Sequence, residues 1–546
     1  MTPPPNAAIG FAADGYRTDR PKLMGRHVAG EGFLRGMIRH SGVETLSAYL
    51  LAPGDGRAFA TLARQHGAAM ALEAIAPQRL DRLAAIGTLM LPGPDLASAA
   101  RLRRFAGDAA WSVVGVTHTI ASHNAMAAIA EMAAAPVQRW DALICTSRAV
   151  QDSVRRLLAM EAEVLARRLG ARQVPLPELP VIPLGVECDS LAPRPELRGE
   201  WRARLGIPEG AVAVLGLGRL SWHAKAHPAA LFAALGRAAR REGTPPLHAV
   251  LGGWFAHPGQ EEAHRALAAA LAPEVTLHIA DARPPGAREG LLAAADIFAL
   301  LADNIQESFG LAPVEAMAAG LPVVVSDWDG FRDTVRQGED GFRVPVRMAP
   351  PGSAADLALR HASGVVDYDH YLAATTQLVA VEIGPAADAL AALAGDAGLR
   401  ARMGAAGRAR ARAVFDWSVV IGQYQALWAE LAARRAGAPA APGPEARHAD
   451  PTLLFAGYPT GPLRAGMVLE ADPAAPGEVA PIAALPAGLH AGAGGLDAPG
   501  LEALLQSLRR DGPLPVEALL PEGAARRASL RGLVWLLKLG FVRIAN

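Results

Sequence analysis

The sequence has little of what marks several large classes of protein. Only 2 of its 546 residues are cysteine, which is too few for a disulfide framework. The 53 Lys and Arg residues are balanced by 53 Asp and Glu residues, and this balance argues against bulk binding to nucleic acid or to an anionic membrane. No apolar run reaches about 18 residues, the length of a membrane-spanning helix, and no repeat of fixed period is present.

These absences favour a protein of the reducing cytoplasm. The N-terminus lacks the basic and then apolar pattern of a signal peptide, and Cys145 and Cys188 both adjoin aliphatic runs that favour buried thiols. We therefore expect a cytoplasmic location, with at most peripheral contact at the inner face of the membrane. Hydrophobic residues make up 51% of the chain, which is enough for several cores, and the length favours about three to four domains.

Short runs of Val, Ile and Leu alternate with amphipathic segments through most of the chain, a pattern typical of parallel α/β sheets. A first series of such runs ends with VIPLGV at Val181–Val186, and a second series begins with AVAVLGLGRLS at Ala211. The sequence therefore predicts two doubly wound halves that join near Ala192–Trp201. Ligands of such sheets bind at the carboxyl ends of the strands, which here would face a cleft between the halves.

The composition changes after the second half. Residues 436–451 form a Pro/Ala/Gly-rich linker without apolar periodicity. Beyond it, leucines at helical spacing predict three helices, followed by a strand at FVRI, Phe541–Ile544. This C-terminal module resembles a small winged-helix unit.

One stretch of the second half carries most of the functional information: Glu307-Ser-Phe-Gly-Leu-Ala-Pro-Val-Glu315. It follows a predicted strand, and Ser308–Gly310 opens a helix that has Pro313 in its first turn and Gly320 at its end. The free N–H groups at such a helix start form an anion site, and a carboxylate two turns along suits hydrogen bonds to vicinal hydroxyls. Two glutamates at this spacing also occur by chance in helix-rich chains.

Two cations follow the first strand of the second half. Arg219 and Lys225 leave the carboxyl end of that strand on a turn, where both can converge on a pyrophosphate. The alternatives are two surface charges, or a degenerate dinucleotide loop in GLGRLS. That loop lacks a third glycine, and no acidic residue ends the next strand, which argues against a dehydrogenase.

In this order, the motifs resemble the retaining glycosyltransferases of the GT-B fold, specifically family 4. The match includes ESFGLAPVEAMAAGLPVV, the Arg/Lys pair, VIPLGVECDSLAP, DALICTSRAVQDSV and RMGAAGRARARAVFDW. It covers roughly residues 20–435. It implies an α/β fold with two Rossmann-like doubly wound domains facing a cleft, to which the chain adds a mostly helical, winged-helix-like C-terminal module.

The resemblance and the composition together divide the chain into five parts. They are an N-terminal acceptor-side domain at 1–192, a nucleotide-sugar donor domain at 193–417, a helix crossing back to the N-terminal domain at 418–435, the linker at 436–451 and the C-terminal module at 452–546.

The resemblance also implies a role for each matching residue. Arg219 and Lys225 would bind the donor diphosphate and stabilise it as a leaving group. Glu307 would contact the transferred sugar, and His118, in GVTHT at a strand end, would face that sugar; outside the family, such a histidine is often only packed. The remaining donor-binding residues implied are Ser308, Phe309, Gly310, Leu311, Glu315, Gly30 and Gly32. The last two would lie in the family's glycine loop, although the chain has Gly-Glu-Gly there instead of paired glycines.

The reaction implied is a retaining, metal-independent transfer of a hexose from a UDP- or GDP-sugar to a carbohydrate or lipid-linked acceptor, as in polysaccharide biosynthesis. No cofactor or metal is expected, because the two cations and the helix dipole would offset the charge of the leaving diphosphate. One alternative is another enzyme of the same fold, such as a phosphorylase or a sugar-nucleotide epimerase. Another is a sugar-nucleotide sensor that binds a partner or DNA through the C-terminal module.

Three further clusters have competing interpretations. Asp327-Trp-Asp329 imitates the metal-binding acidic pair of the GT-A fold, but its position after a strand favours a plain loop. Asp367-Tyr-Asp369 lies in an apparent insertion, where solvated surface is favoured over contact with an acceptor. His223 and His227 would suit a metal if they lay on one helix, but Pro228 favours a turn before a helix there, so no metal site is predicted.

The C-terminal module has seven Lys and Arg residues against four Asp and Glu residues between Leu501 and Asn546. This excess is weak for a nucleic-acid interface, which usually shows a concentrated basic face. We therefore expect the module to contact a protein partner or the membrane surface instead of nucleic acid.

Overall fold

The computed structural model describes residues 3–17, 25–52, 54–438, 448–485, 495–523 and 525–545. The chain divides into two compact units, Met1–Glu445 and Ala446–Asn546. The first unit contains two parallel six-stranded sheets. The expected fold class, with two Rossmann-like domains and an appended C-terminal module, is therefore confirmed.

The N-terminal sheet is made of short apolar strands that are largely buried. Its strands are β1 (Ala8–Phe11), β2 (Thr45–Leu50), β3 (Ala71–Ile75), β4 (Thr88–Met90), β5 (Ser112–Val116) and β6 (Ala142–Ile144). Its helices are α1 (Ala13–Tyr16), α2 (Gly25–His40), α3 (Gly56–Gln65), α4 (Leu80–Ile86), α5 (Leu96–Arg103), α6 (His123–Glu131) and α7 (Arg148–Leu169). The strand order is β3-β2-β1-β4-β5-β6, which is the doubly wound order of nucleotide-binding sheets.

The second sheet repeats this order. Its strands are β7 (Val212–Arg219), β8 (Leu247–Trp254), β9 (Thr276–Asp281), β10 (Ile297–Leu300), β11 (Val323–Ser326) and β12 (Gly341–Val344). The helices that precede or connect these strands are α8 (Pro195–Leu205), α9 (Pro228–Ala239), α10 (Gln260–Leu271), α11 (Ala287–Ala294), α12 (Leu311–Ala318) and α13 (Phe331–Thr334). The order β12-β11-β10-β7-β8-β9 reverses direction between β7 and β10, and ligands of such sheets bind at that switch point.

An insertion follows the second sheet. Strands β13 (Val346–Met348) and β14 (Val379–Val381) pair antiparallel, and between them lie α14 (Ala355–Ala362) and α15 (Tyr368–Thr376). We call residues 349–378 the insertion. The last helices of the first unit are α16 (Ile383–Gly395), α17 (Ala397–Arg410), a π-helical turn (Ala411–Phe415) and α18 (Trp417–Arg435).

Helix α18 packs its apolar face into the core of the N-terminal domain. Trp417 is buried there and packs closely against two glycines. A Cβ atom at Gly185 would lie 2.3 Å from its ring, and one at Gly36 would lie 2.9 Å from it. Val420, Tyr424 and their neighbours on α18 continue this contact into the same core. The helix thus ties the end of the donor-side domain to the N-terminal domain.

The second unit has its own core around Leu505, Leu533 and Phe541. Its elements are α19 (Pro451–Leu454), β15 (Val468–Ala471), α20 (Val479–Ala483), α21 (Ala498–Asp511), β16 (Leu514–Pro515), a 3₁₀ turn (Val516–Leu519), α22 (Ala525–Lys538) and β17 (Val542–Ile544). The order helix, short helical turn, helix and strand agrees with the winged-helix-like expectation. The central strand of its sheet, β15, comes from the Pro/Gly-rich segment in which no strand was predicted.

Some local predictions are wrong or lie outside the described residues. VIPLGV does not form a regular strand. Its first residues run parallel beside the end of β6, where the N–H of Ile182 donates to the carbonyl of Cys145 at 3.1 Å, and Val186 makes a single bridge to Asp416. Of the predicted linker, residues 439–447 lie outside the described residues. Within the described residues, no helix is both long enough and apolar enough to cross a membrane.

Candidate active site

The residues predicted to bind the donor lie at the switch point of the second sheet. Arg219 ends β7, and Lys225 follows on the turn before α9, where its backbone N–H donates to the carbonyl of Ser221 at 3.0 Å. Glu307 lies on the loop between β10 and α12. Since β7 and β10 are neighbouring parallel strands, both loops leave the same edge of the sheet.

Lys225 and Glu307 form the central ion pair of this site. The Lys225 Nζ atom donates to Glu307 Oε2 at 2.5 Å, and the side chains are only 25% and 12% exposed. Burial alone would raise the pKa of Glu307, but the ammonium group of Lys225 and the N–H groups of Ser308 and Gly310 outweigh it and lower that pKa. Glu307 is therefore a carboxylate at neutral pH and faces a cation that an anionic ligand would also attract.

Arg219 lies beside this pair. Arg219 and Lys225 both line a small cavity of about 60 Å³ at the end of β7. A guanidinium Nη atom of Arg219 makes one long hydrogen bond, 3.4 Å, to the carbonyl oxygen of Ala224. Burial lowers the pKa of Arg219, and the nearby Asp369 and Tyr368 oppose that shift. The guanidinium keeps most of its five donors for a ligand.

The start of helix α12 has the conformation that the sequence predicted. Gly310 is its N-cap with φ +90°, and a Cβ atom there would lie 2.1 Å from the ring of Phe331, so only glycine fits. Phe309 is buried against Phe415, with the ring centroids 5.9 Å apart. Leu311 is the first residue of the helix, and Gly320 follows its end with φ +81°. Part of the anion-binding capacity of this helix start is used within the chain, because the N–H of Gly310 faces Glu307.

Glu315 lies on the second turn of α12 and is buried. Its carboxylate pairs with the guanidinium of Arg288 at the start of α11. A carboxylate has room for a bidentate arginine and further donors, so this pair still permits contact with ligand hydroxyls. Arg288 was not identified from the sequence.

Residues 198–358, which contain Arg219, Lys225, Glu307 and Glu315, match the family model of the glycosyl transferases group 1. This match covers the strands and loops that carry the candidate site.

Known glycosyltransferases are similar to part of the chain. A phosphatidyl-myo-inositol mannosyltransferase of Mycobacterium leprae (strain TN) is 32% identical over 296 residues, which are 54% of this chain and 61% of that protein. A D-inositol 3-phosphate glycosyltransferase of Streptomyces bingchenggensis is 34% identical over 197 residues, 34% of this chain and 40% of that one. The chain thus spans about 61% of the length of the first relative. A crystal structure of Anabaena HepE in complex with UDP and glucose aligns with a TM-score of 0.47 and 19% identity, over 75% of this chain and 97% of that one.

Two buried residues that the sequence analysis did not identify hold the loops around Arg219 and Lys225. The Asn304 amide donates to the carbonyl of His223 and, at 3.2 Å, to the hydroxyl of Thr376. The Asp303 carboxylate accepts from the N–H of His227 at 3.1 Å, and burial raises its pKa to about 7. His227 therefore caps α9 as the turn predicts, and it does not lie on one helix with His223.

Asp329, predicted as part of a plain loop, makes a contact between the two domains. Within the described residues, it is the one non-glycine residue with positive φ, +43°. Its Oδ1 accepts from the hydroxyl of Ser147, the N-cap of α7 in the other domain, at 3.0 Å. Burial, and to a smaller extent the charge of Glu307, raises the pKa of Asp329 to about 7. A strained, buried carboxyl next to the candidate donor site is the kind of feature that often marks function.

Two further contacts join the domains beside the Ser147–Asp329 hydrogen bond. The hydroxyl of Thr146 donates to the carbonyl of Ser308 at 3.5 Å. The backbone N–H and the guanidinium of Arg148 donate to the Asp333 carboxylate at 2.6 Å and 2.8 Å. The segment DALICTSRAVQDSV thus contributes its Thr-Ser-Arg to the cleft, which the sequence motif alone did not show.

His118 lies in a different cavity, of about 190 Å³, in the N-terminal domain. Its Nε2 is 3.1 Å from the carbonyl oxygen of Pro92. The described lining of this cavity includes Tyr16, Gly30 and Trp417 but none of the donor-side residues Arg219, Lys225, Glu307 and Glu315. His118 therefore lines a cavity apart from the residues predicted to bind the donor, and its expected position facing the donor sugar stays a prediction.

The prediction that Gly30 and Gly32 lie in a loop is wrong. Gly30 and Gly32 both lie within helix α2. A Cβ atom at Gly30 would lie 2.3 Å from the carbonyl oxygen of Gly15, and one at Gly32 would lie 3.1 Å from the ring of Trp417. Both glycines thus allow close packing of α2, and only Gly30 also lines the N-terminal cavity.

The insertion reaches over the donor-side loops. Leu372 of α15 is buried against Ala121 of the N-terminal domain and Ala224 of the loop after β7, with Tyr368 packed beside them. Asp369 is near enough to act on the charges of Arg219 and His223. The interpretation of Asp369 as plain solvated surface is therefore incomplete.

Proposed function

We propose that the protein is a retaining glycosyltransferase that moves a hexose from a UDP- or GDP-sugar to a hydroxyl of a carbohydrate or lipid-linked acceptor. The observation that carries this proposal is the convergence of Arg219, Lys225 and Glu307 with the N-terminus of α12 at the switch point of the second sheet. Two cations and a carboxylate beside a small cavity suit a sugar diphosphate, whose charge grows when the sugar leaves.

Each residue would have a separate task in that reaction. Arg219 and Lys225 would hold the diphosphate and stabilise it as the glycosidic bond breaks. Glu307, kept ionised by Lys225, would contact the sugar as positive charge develops on its ring. Glu315 would hold the ribose hydroxyls from α12, with Arg288 fixing its carboxylate.

The acceptor would attack from the leaving-group side, which gives retention. A phosphate oxygen of the donor would take the proton from the acceptor hydroxyl, so no metal or cofactor is needed for this step. The acceptor would bind in the cavity of the N-terminal domain that His118, Tyr16 and Gly30 line. Because two relatives are named for inositol-containing substrates, cyclitols and inositol phospholipids are the first acceptors to test.

A cytoplasmic location is part of this proposal. Both cysteines are free and buried, and burial raises the pKa of each thiol to about 12. Such thiols are protonated and unreactive, which fits a protein that works in a reducing compartment.

The proposal is tested by incubating the full chain with UDP-, GDP- and ADP-hexoses in the presence of EDTA. Nucleotide release and sugar transfer are both measured, with and without an inositol, an inositol phospholipid and an oligosaccharide acceptor. We expect one donor base to support transfer without added metal, and the anomeric configuration of the product to equal that of the donor. Inversion, or tight nucleotide binding without transfer to any acceptor, would contradict the proposal and favour a sensor.

A further inference from the structure

Three side chains from three separate segments meet beside Arg219. His223 lies on the loop after β7, His257 on the loop after β8, and Asp369 on α15 of the insertion. Their nearest ligand atoms, an imidazole nitrogen from each histidine and a carboxylate oxygen, all lie within 4.8 Å of one another. The sequence places these residues up to 146 positions apart, so only the fold brings them together.

The spacing of these groups leaves room for an ion between them. His223 Nε2 is 3.9 Å from Asp369 Oδ1, and the two imidazole rings have centroids 5.8 Å apart. In the described part of the chain, none of the three side chains hydrogen-bonds to another of the three. In a tetrahedral zinc site the ligand atoms are about 3.4 Å apart, given metal–ligand bonds of about 2.0–2.1 Å. Small rotations of His257 and Asp369, which are both exposed, would close the remaining gap.

The chemistry of the three donors selects the ion. Two imidazoles and one carboxylate suit zinc and similar transition metals, whereas calcium and magnesium prefer oxygen ligands throughout. His223 is buried, and its Nδ1 and Nε2 lie 3.3 Å and 3.4 Å from the hydroxyl of Ser221.

We propose that His223, His257 and Asp369 bind one divalent transition-metal ion of the zinc class. The ion joins the insertion to the loops after β7 and β8, and so fixes α15 over the turn that carries Arg219 and Lys225. It takes no part in sugar transfer, and the site stands independently of the proposed function.

The site is tested by metal binding to the full chain without a histidine tag. The protein is stripped with EDTA, dialysed and titrated calorimetrically with Zn²⁺, while Co²⁺ is used to record the visible spectrum of the bound ion. We expect one ion per chain and a rise in the thermal unfolding temperature on addition of Zn²⁺. His257→Ala and Asp369→Ala should each weaken binding about tenfold or more, that is by about 1.4 kcal/mol or more, and remove the thermal shift.

Matched controls separate this site from other histidines and acids. His40→Ala and Asp356→Ala change exposed residues elsewhere and should leave binding unchanged. His278→Ala removes one half of another close histidine pair, the stacked His248–His278, and should also leave binding unchanged. Because His257 and Asp369 are exposed, their variants should keep the wild-type circular dichroism spectrum. Absence of stoichiometric binding, or equal binding by His257→Ala and wild type, would overturn the proposal.

Discussion

The ammonium group of Lys225 lies 2.5 Å from the carboxylate of Glu307 and so joins the loops after β7 and β10 at the switch point of the second sheet. The ammonium group keeps the carboxylate ionised, because it lowers the pKa of a carboxyl that burial alone would raise. A bound diphosphate would compete with Glu307 for Lys225. Binding of a diphosphate to Lys225 would therefore release the Glu307 carboxylate, which is proposed to face the sugar.

Glu307→Gln should reduce sugar transfer without loss of nucleotide affinity. The amide keeps the shape of the side chain but removes the negative charge proposed to act on the developing cation, so kcat should fall by about 10²–10³-fold. The affinity for the nucleoside diphosphate should stay or rise, because Lys225 loses its internal anion. The measurement is kcat together with calorimetric binding, and Glu262→Gln, an exposed acid on α10, is the control. A parallel loss of affinity and kcat would contradict this separation.

The buried carboxyl of Asp329 should make stability depend on pH. Its folded-state pKa is raised to about 7 by burial, whereas an unfolded aspartate titrates near about 4. Between these values the folded chain holds a proton that the unfolded chain releases, so the free energy of unfolding falls as the pH rises from about 4 to about 7. Beyond that window this contribution stays lost.

Asp329→Asn should flatten this fall. Asparagine tolerates positive φ and can still accept from Ser147 through its amide oxygen. Thermal unfolding temperatures between about pH 4 and 7 should thus decline less steeply than in wild type, although Asp303, whose pKa is also raised to about 7, keeps part of the slope. Asp356→Asn, at an exposed position, should keep the full slope. An unchanged slope in Asp329→Asn would show that its carboxyl is already ionised in the folded chain.

Ser147→Ala should cost more stability than an ordinary helix cap. Ser147 caps α7 by accepting from the N–H of Val150 and also donates to Asp329 across the cleft. Loss of a cap costs about 0.5–2 kcal/mol, and the added hydrogen bond about 0.5–1.5 kcal/mol more. Ser122→Ala removes the cap of α6, whose hydroxyl accepts from Ala125, and serves as the matched control. Equal losses for the two variants in urea unfolding would show that the contact with Asp329 contributes nothing.

Gly185→Ala should destabilise the first unit. The added Cβ atom would lie 2.3 Å from the ring of Trp417, the first residue of α18, and such overpacking typically costs about 1–3 kcal/mol. At Gly422, also on α18, a Cβ atom would meet nothing within 4 Å. Gly422→Ala should therefore be neutral or stabilising by up to about 1 kcal/mol. Urea unfolding measures the free energy of unfolding of both variants. An unchanged value for Gly185→Ala would mean that Trp417 and α18 move to accommodate the added methyl group without loss of stability.

The sequence predicted those parts of the site that depend on local patterns. The buried strand ends, the helix start at Gly310 and the cations at Arg219 and Lys225 follow from strand runs, glycine and charge along one segment. Asp329, Asn304 and Asp369 could not be found this way, because their roles depend on partners in distant segments: Ser147, His223 and Arg219.

The wrong local predictions have a similar cause. Gly30 and Gly32 resembled a ligand-binding loop. In the structure they let α2 pack closely against Gly15 and Trp417, and these contacts cannot be read from the sequence around the two glycines. Strand β15 was missed because its four residues lie among prolines and glycines and are stabilised by β16 and β17 from the end of the chain. Pairing over long sequence separations decided both cases.

The most direct test of the donor site is calorimetric binding of UDP, GDP and ADP to wild type and to Lys225→Ala. The account predicts that wild type binds at least one of these nucleotides and that Lys225→Ala binds it about tenfold or more weakly. Lys538→Ala, an exposed lysine of α22, should bind like wild type. Equal affinity of wild type and Lys225→Ala for every nucleotide would contradict the assignment of a diphosphate site to the loops after β7 and β10.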